Sequence, residues 1–337
     1  MVKVSAPGKI HLIGEHSVVY GFPAIISAIE KRTRVRAEKS EKIKIKNEVY
    51  QKETEFEIEE AVTAAKKSRE LWKKGDKKSD FSELFSFLRS DFWKRNQATL
   101  GLIFERLKVV KGGVSLIIDS NLPTGVGLGS SASLSVAITR AIAALYAPQI
   151  SNQKINEIAF ELEKLNHGRP SGGDNSVCVF GGTIWFEKGK IEPVSLPDFL
   201  QNLIIVLTPR RNLSTGDLVQ KVRNLDKNFR DQKIKNIAKA TYKMRRALEE
   251  KDVNKVKNLI NIAQDNLTEL GISNPEIDGL VKEVRKIGGA AKISGGGGGT
   301  VICFHQNKEE LIKLLKKLKV NFEQIKLGAE GVKVEKS

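Results

Sequence analysis

Residues 123–131, Pro-Thr-Gly-Val-Gly-Leu-Gly-Ser-Ser, constrain the fold more than any other stretch of this chain. Gly125, Gly127 and Gly129 alternate, so the backbone can turn sharply and approach a ligand closely. An apolar-periodic helix follows at once, with Leu134, Ala137, Ile138, Ala141, Ile142 and Leu145 on one face. A glycine turn that opens a helix gathers bare N–H groups and the positive end of the helix dipole at one point, where phosphates bind. The spacing is not that of the P-loop, because no Lys follows the glycines, nor the G-x-G-x-x-G of dinucleotide-binding βαβ units. Taken alone, the loop reads equally well as a Gly-rich link before a core helix. The hydroxyls of Ser130 and Ser131, and the motifs below, favour a nucleotide or phosphorylated ligand.

The chain has 337 residues, enough for two domains with separate cores. The Pro-containing stretch 193–198 is the expected boundary, giving domains 1–195 and 196–337. An apolar content of 40% fits a soluble globular protein. The net charge of +17 raises the question of nucleic acid. The excess, however, lies in mixed Lys/Glu segments such as 30–78 and 307–337, and no basic–aromatic alternation offers a base-stacking platform. Solvated lysine faces are expected instead, with no nucleic-acid partner. Their field would draw in anionic ligands such as MgATP. Cys178 and Cys303 are far apart with no C-x-x-C, which argues against disulfides and zinc, and both read as small buried apolar residues. No apolar run is long enough to span a membrane, and the N-terminus enters a strand-like segment with no leader pattern. A cytoplasmic protein without membrane association is expected.

Residues 2–5 and 10–13 read as short strands around a turn at Ala6-Pro7-Gly8-Lys9. Segments 32–38 and 42–46 alternate as half-exposed strands do, and 113–119 reads as a strand leading into the glycine loop. Segments 56–75, 80–107, 152–166, 215–249, 251–270 and 307–318 read as helices; 183–186, 203–207, 290–294 and 301–304 read as strands. Strands precede helices in each half, so the class is α+β rather than a doubly wound sheet.

Three further constellations carry chemistry. Lys9 follows a stiff Pro-Gly pair, and Glu15-His16 lies shortly beyond it. Glu163 sits near a helix end, and Asp174 follows in the loop His167-Gly168-Arg169-Pro170-Ser171-Gly172-Gly173. Such a loop aims a carboxylate into a cleft more readily than it buries one. An Asx-turn role for Asp174 is the open alternative. Phosphoryl transfer to an alcohol uses one carboxylate for the metal and another to orient the hydroxyl. Lastly, Lys292-Ile293-Ser294 runs into five glycines and Thr300. Strand–polyglycine–strand fits close packing of backbone around a ligand or another loop.

Together and in this order, these motifs resemble the GHMP kinases, and within them the mevalonate-phosphorylating branch. The likeness rests on S-A-P-G-K-x-x-L-x-G-E-H-x-V-V-Y-G at 5–21, L-P-x-G-x-G-L-G-S-S-A at 122–132, H-G-x-P-S-G-x-D-N at 167–175 and the K-x-[ST]-G-x-G-G-G-G-like run at 292–299. It covers residues 2 to about 304, with 38–110 least typical. The resemblance implies a two-domain α+β fold, with a ribosomal-protein-like ATP-binding N-terminal domain and a ferredoxin-like C-terminal domain. It implies ATP and Mg²⁺ as cofactors, mevalonate as the small-molecule substrate phosphorylated at its C5 hydroxyl, and a homodimer. Residue by residue, Asp174 would accept the hydroxyl proton and Lys9 would pair with it and stabilise the attacking oxygen. Ser131 and Glu163 would hold Mg²⁺. Pro123, Gly125, Gly127, Leu128, Gly129, Ser130, Ser131 and Ala132 would line the ATP phosphates. Glu15, His16, Thr215 and Gly296 would face the substrate, with Arg210-Arg211 a further candidate. Gly173 departs from the family, which more often has Val, Ile or Leu there. The alternatives are a GHMP kinase for phosphomevalonate, galactose or homoserine, a basic nucleic-acid-binding protein, and a non-catalytic nucleotide sensor.

Overall fold

Pro7 and Gly8 do not turn the chain. In the computed structural model, which describes residues 1–109, 111–208, 215–297 and 299–336, one strand runs through them. This strand, β1 (Val2–Ile13), pairs antiparallel with β2 (Ala24–Ser40), and the register shifts between Pro7 and Gly8. The shift replaces the expected hairpin turn. Gly8 permits it, because a Cβ there would lie 2.3 Å from Leu122 Cδ2 and 2.8 Å from the Leu128 carbonyl. Lys9 therefore projects from a strand that passes directly beneath the glycine loop.

The chain continues through β3 (Ile43–Asn47), β4 (Lys52–Phe56), α1 (Ile58–Lys78), α2 (Ser82–Arg89), α3 (Lys94–Arg106) and β5 (Gly113–Ser120). Then come α4 (Ser130–Tyr146), α5 (Asn152–His167), α6 (Gly173–Phe180), β6 (Thr183–Glu187) and β7 (Lys190–Pro193). The second half holds β8 (Ile204–Leu207), α7 (Thr215–Arg223), α8 (Lys227–Glu249), α9 (Val253–Glu269), α10 (Pro275–Lys286), β9 (Ala290–Ile293), β10 (Thr300–Phe304), α11 (Lys308–Lys317), β11 (Asn321–Gln324) and β12 (Lys333–Val334).

Two sheets result, as the α+β reading expects. The first has the order β12-β1-β2-β5-β3-β4, with β6 also on β2 and β7 on β6; β3 and β5 pair parallel. The second is antiparallel, β11-β8-β10-β9. α4 packs on the first sheet through Ala132, Val136, Ala137, Ala141 and Ile142, all fully buried. Its small residues bring the helix, and the glycine loop before it, close to β1.

Two expected helices are interrupted. Segment 80–107 breaks between α2 and α3, where Ser90 Oγ donates to the Phe87 carbonyl at 2.8 Å and Asp91 Oδ1 accepts from Trp93 N at 2.8 Å. These side chains offer the backbone a local alternative to helix. Segment 215–249 breaks before Asp226, whose carboxylate caps α8 by accepting from Phe229 N at 2.9 Å. α10 is absent from the sequence reading, although Asn274 capping Ile277 N at 2.8 Å and Pro275 in the first turn are a helix-start signature.

Candidate active site

Side chains alternate along a strand, so Lys9 and His11 emerge on the same face of β1. Both reach Asp174: Lys9 Nζ lies 3.0 Å from Oδ2 and His11 Nε2 lies 2.9 Å from Oδ1. The two donors are buried, at 3% and 6% exposure, whereas the Asp174 side chain is 32% exposed. Asp174 does not sit in a loop. Gly172, at φ 93°, ends the loop and starts α6, and Asp174 occupies the first helical turn. Gly168 and Gly172, at φ 68° and 93°, supply the left-handed bends before it, and the helix N-terminus favours its negative charge. Burial alone would raise the Asp174 carboxyl; the Lys9 ammonium and the His11 hydrogen bond override it and hold the group well below the usual carboxylate range.

The glycine loop closes over Lys9. Gly125, Gly127 and Gly129 all take positive φ, at 75°, 87° and 74°. Lys9 N donates to the Leu128 carbonyl at 2.9 Å, and a Cβ on Gly129 would fall 2.6 Å from Lys9 Cγ. The polyglycine segment meets the same loop from the second half. A Cβ on Gly127 would lie 2.9 Å from the Ser294 carbonyl, one on Gly295 would lie 3.3 Å from Lys9 Nζ, and Thr300 Oγ1 donates to the Val126 carbonyl at 2.6 Å. All four sequence motifs thus converge on Lys9. Pro123 is half-buried, Ser130 and Ser131 open α4 half-buried, and Ala132 is sealed in the core.

Glu163 is 1% exposed and well supplied with donors. Ser131 Oγ donates to Oε2 at 3.2 Å; Ser135 Oγ and Asn166 Nδ2 donate to Oε1 at 3.2 and 2.9 Å. His167 Nε2 lies 3.4 Å from Oε2. Burial pulls the His167 imidazole down, but Glu163 outweighs it and raises the group above its ordinary value. Among the described residues, no cluster of three or more His, Cys, Asp or Glu forms a metal cage. One carboxylate beside one hydroxyl is nevertheless a donor set that fits Mg²⁺ when phosphates complete its shell.

Glu15 is buried with Lys292 as its partner, and Lys292 Nζ also donates to the carbonyls of Ile293 at 2.7 Å and His11 at 3.4 Å. His16 is 4% exposed at φ 58°, and burial holds its imidazole down to about 4. Both His16 ring nitrogens, Glu15 Oε2 and His11 Nδ1 have no hydrogen-bond partner among the described residues. Buried polar atoms are normally paired, so these four have hydrogen-bonding capacity left for a polar ligand. Gly296 is half-buried, and its backbone acts on His16. Thr215 begins α7; Arg210 and Arg211 lie outside the described residues.

Sequence reasoning missed His11 and the partnership of Lys292 with Glu15. The signal for His11 was its spacing of two from Lys9 on one strand. Segment 38–110, least typical in the resemblance, braces the site from outside. Trp72 Nε1 donates to the Gly168 carbonyl at 2.7 Å, Arg169 Nε donates to Asp76 Oδ1 at 2.7 Å, and Arg95 Nη1 donates to Asn166 Oδ1 at 2.7 Å. α1 and α3 thereby brace the turn that leads from Glu163 to Asp174.

Comparison with known proteins places this geometry. Residues 94–182 match the GHMP kinases N terminal domain, and residues 244–324 match the GHMP kinases C terminal domain. The mevalonate kinase of Thermococcus sibiricus is 31% identical over 99% of this chain and 98% of its own length. The chain belongs to the mevalonate kinase family. The mevalonate kinase of Archaeoglobus fulgidus is 33% identical over 88% of this chain and 90% of its own. The crystal structure of the Methanococcus jannaschii mevalonate kinase superposes with a TM-score of 0.78 at 25% identity, covering 96% of this chain and 98% of that one. The expected GHMP kinase fold is therefore present. In this member of the mevalonate kinase family, the N-terminal match contains the glycine loop, Glu163 and Asp174, and the C-terminal match contains Lys292 through Gly299.

Proposed function

We propose that the chain transfers the γ-phosphoryl group of ATP, as MgATP, to the C5 hydroxyl of mevalonate, giving 5-phosphomevalonate and ADP for isoprenoid biosynthesis. The observation that carries this reading is the ionised Asp174, gripped by Lys9 at 3.0 Å directly beneath the glycine loop. A carboxylate held so far below its usual range is a weak base. That suffices if the transition state is loose, because the hydroxyl proton then leaves late. Asp174 accepts a hydrogen bond from the acceptor hydroxyl, orients it in line, and takes the proton as the P–O bond forms. The Lys9 ammonium stabilises the charge on the attacking oxygen. The amides of Gly125 to Gly129 and the Ser130 hydroxyl cradle the phosphates at the α4 N-terminus. Ser131 and Glu163 would hold Mg²⁺, which when bound would supply positive charge to offset that of the transferring phosphates.

His16 and Gly296, from the two halves, are assigned to the mevalonate side, with Glu15 behind them and Thr215 at the start of α7. Residues 1–195 form the ATP-binding domain of this reading and 196–337 the second domain, whose last strand, β12, returns to pair with β1 of the first sheet. It carries with it a cytoplasmic homodimer. The described residues include no helix long and apolar enough to cross a membrane. A coupled ADP-release assay with mevalonate, phosphomevalonate, galactose and homoserine tests the substrate. Turnover that depends on mevalonate is expected; preference for another alcohol would overturn the assignment and leave the phosphoryl-transfer chemistry standing.

A further inference from the structure

Lys9 is not alone in holding Asp174. Its ammonium takes Oδ2, while the His11 imidazole takes Oδ1. The Cβ–Cγ torsion of an aspartate is broad, so a carboxylate with one contact can swing about it. One gripped at both oxygens from the same strand has its plane fixed. We propose that His11 is a positioning residue for Asp174, fixing the carboxylate plane so that its free lone pairs face the acceptor hydroxyl. This rests on the reading of Asp174 as the group that orients that hydroxyl.

Three observations support the role. An ionised carboxylate only accepts, so His11 Nε2 carries the proton and donates to Oδ1. The donors are nearly sealed while Asp174 is a third exposed, so both grips lie behind the carboxylate and its open edge faces outward. The backbone of His11 is itself clamped by the second half of the chain. His11 N donates to Ser294 Oγ at 2.9 Å, and the His11 carbonyl accepts from Ser294 Oγ at 3.3 Å and from Lys292 Nζ at 3.4 Å. The conspicuous Lys-Ile-Ser before the polyglycine segment thus reaches the reacting centre through His11. A chain of contacts runs from Lys292 and Ser294 to the His11 backbone, and from its imidazole to the carboxylate.

The test measures kcat and KM for MgATP and mevalonate in His11→Leu and His11→Gln, each alone and combined with Asp174→Asn. Leu fills the space without a donor; the Gln side-chain amide reaches about as far as the imidazole Nε2 and donates. Misplacing a reacting group can cost up to about 100-fold, so His11→Leu is expected to lower kcat about 10- to 100-fold with little change in either KM. His11→Gln should recover most of that loss. In the Asp174→Asn background, His11→Leu should cost less than about twofold, because the carboxylate it positions is gone. The proposal falls if His11→Leu turns over like wild type, if Gln is as poor as Leu, or if the loss is equally large without Asp174. Should His11→Leu fail to fold, His11→Asn, whose shorter amide falls short of Oδ1, takes its place under the same criteria. Wild-type turnover of mevalonate in the same plates separates the two levels: its absence removes the parent reading and this one together, whereas its presence with an indifferent His11→Leu removes only the positioning role.

Discussion

Replacing Lys292 by Met should unfold more of this protein than any surface change. Lys292 is 0% exposed and Glu15 1%, and all three donors of the ammonium are engaged, with Glu15, the Ile293 carbonyl and the His11 carbonyl. Met conserves the volume and removes every one of these bonds. Stranding one partner of a buried ion pair costs about 3–5 kcal/mol, and losing the bond to the Ile293 carbonyl adds about 1 kcal/mol, while the His11 carbonyl keeps Ser294 Oγ as a donor. A loss of about 5 kcal/mol is therefore expected, against total stabilities of about 5–15 kcal/mol for native proteins. Removing both charges, in Glu15→Leu with Lys292→Met, should restore most of it, because a buried pair replaced by apolar residues is often near neutral. Urea unfolding followed by far-UV circular dichroism and tryptophan fluorescence measures both variants. The pH dependence supplies an independent check through Glu15→Gln. Burial lowers the Lys292 ammonium and Glu15 props it up, so losing Glu15 lowers it further. A group depressed in the folded state lets the unfolded chain bind more protons, so stability rises with pH. Glu15→Gln should accordingly regain stability between neutrality and the ordinary lysine value of about 10.4. A loss below about 1 kcal/mol in Lys292→Met, or a double variant no better than the single, would refute the argument that this pair is a sealed, mutually dependent unit.

Three other outcomes are expected. Asp174→Asn should keep its affinity for a non-hydrolysable ATP analogue by calorimetry while kcat falls about 10²- to 10⁴-fold; near-normal turnover would remove Asp174 from the chemistry. Glu163→Gln should raise the Mg²⁺ concentration giving half-maximal rate, since one hard oxygen ligand loses its charge, and an unchanged metal titration would exclude that role. The His16 imidazole, held at about 4 by burial against 6.5 in the unfolded chain, contributes stability above pH 6.5 that is lost as the pH falls through about 4. At about 1.4 kcal/mol per pH unit this amounts to about 3 kcal/mol, so the urea midpoint should drop between pH 7 and 4 in wild type and much less in His16→Asn; equal drops would sink the assignment.

Much of this site is legible in residues that have few structural uses. Alternating glycines before a helix, a lysine after Pro-Gly and a polyglycine tract inside apolar strands are hard to explain by packing, and the folded chain brings all three to one point. Local expectations fail where tertiary contact decides. Ala6-Pro7-Gly8-Lys9 looks like a turn because its residues favour turns, yet the loop above it needs a strand with no Cβ at position 8. His11 escapes notice because a lone histidine in an apolar strand is ordinary until its partner, 163 residues away, is in place. The resemblance assigns Glu15 to the substrate side together with His16. The commitment of Glu15 to Lys292 spans 277 residues, and no local pattern announces it. The interruption of segment 80–107 follows from Ser90 and Asp91 competing for backbone groups, a signal masked by the apolar periodicity on either side.

One late segment bears on how the molecule is made. Val4 of β1 pairs with Val334, and Ser5 Oγ donates to Glu335, a partner 330 residues further on. Arg32 reaches the same returning segment, donating to the carbonyls of Glu330 and Gly331. During synthesis the strand that bears Lys9 therefore emerges with one flank bare, and keeps it so until residues 330–335 have been made. Contacts this distant in sequence are slow to close. β1 is fully seated only after a segment some 330 residues later has been made, and a chain arrested before it would carry an open β edge beside its glycine loop.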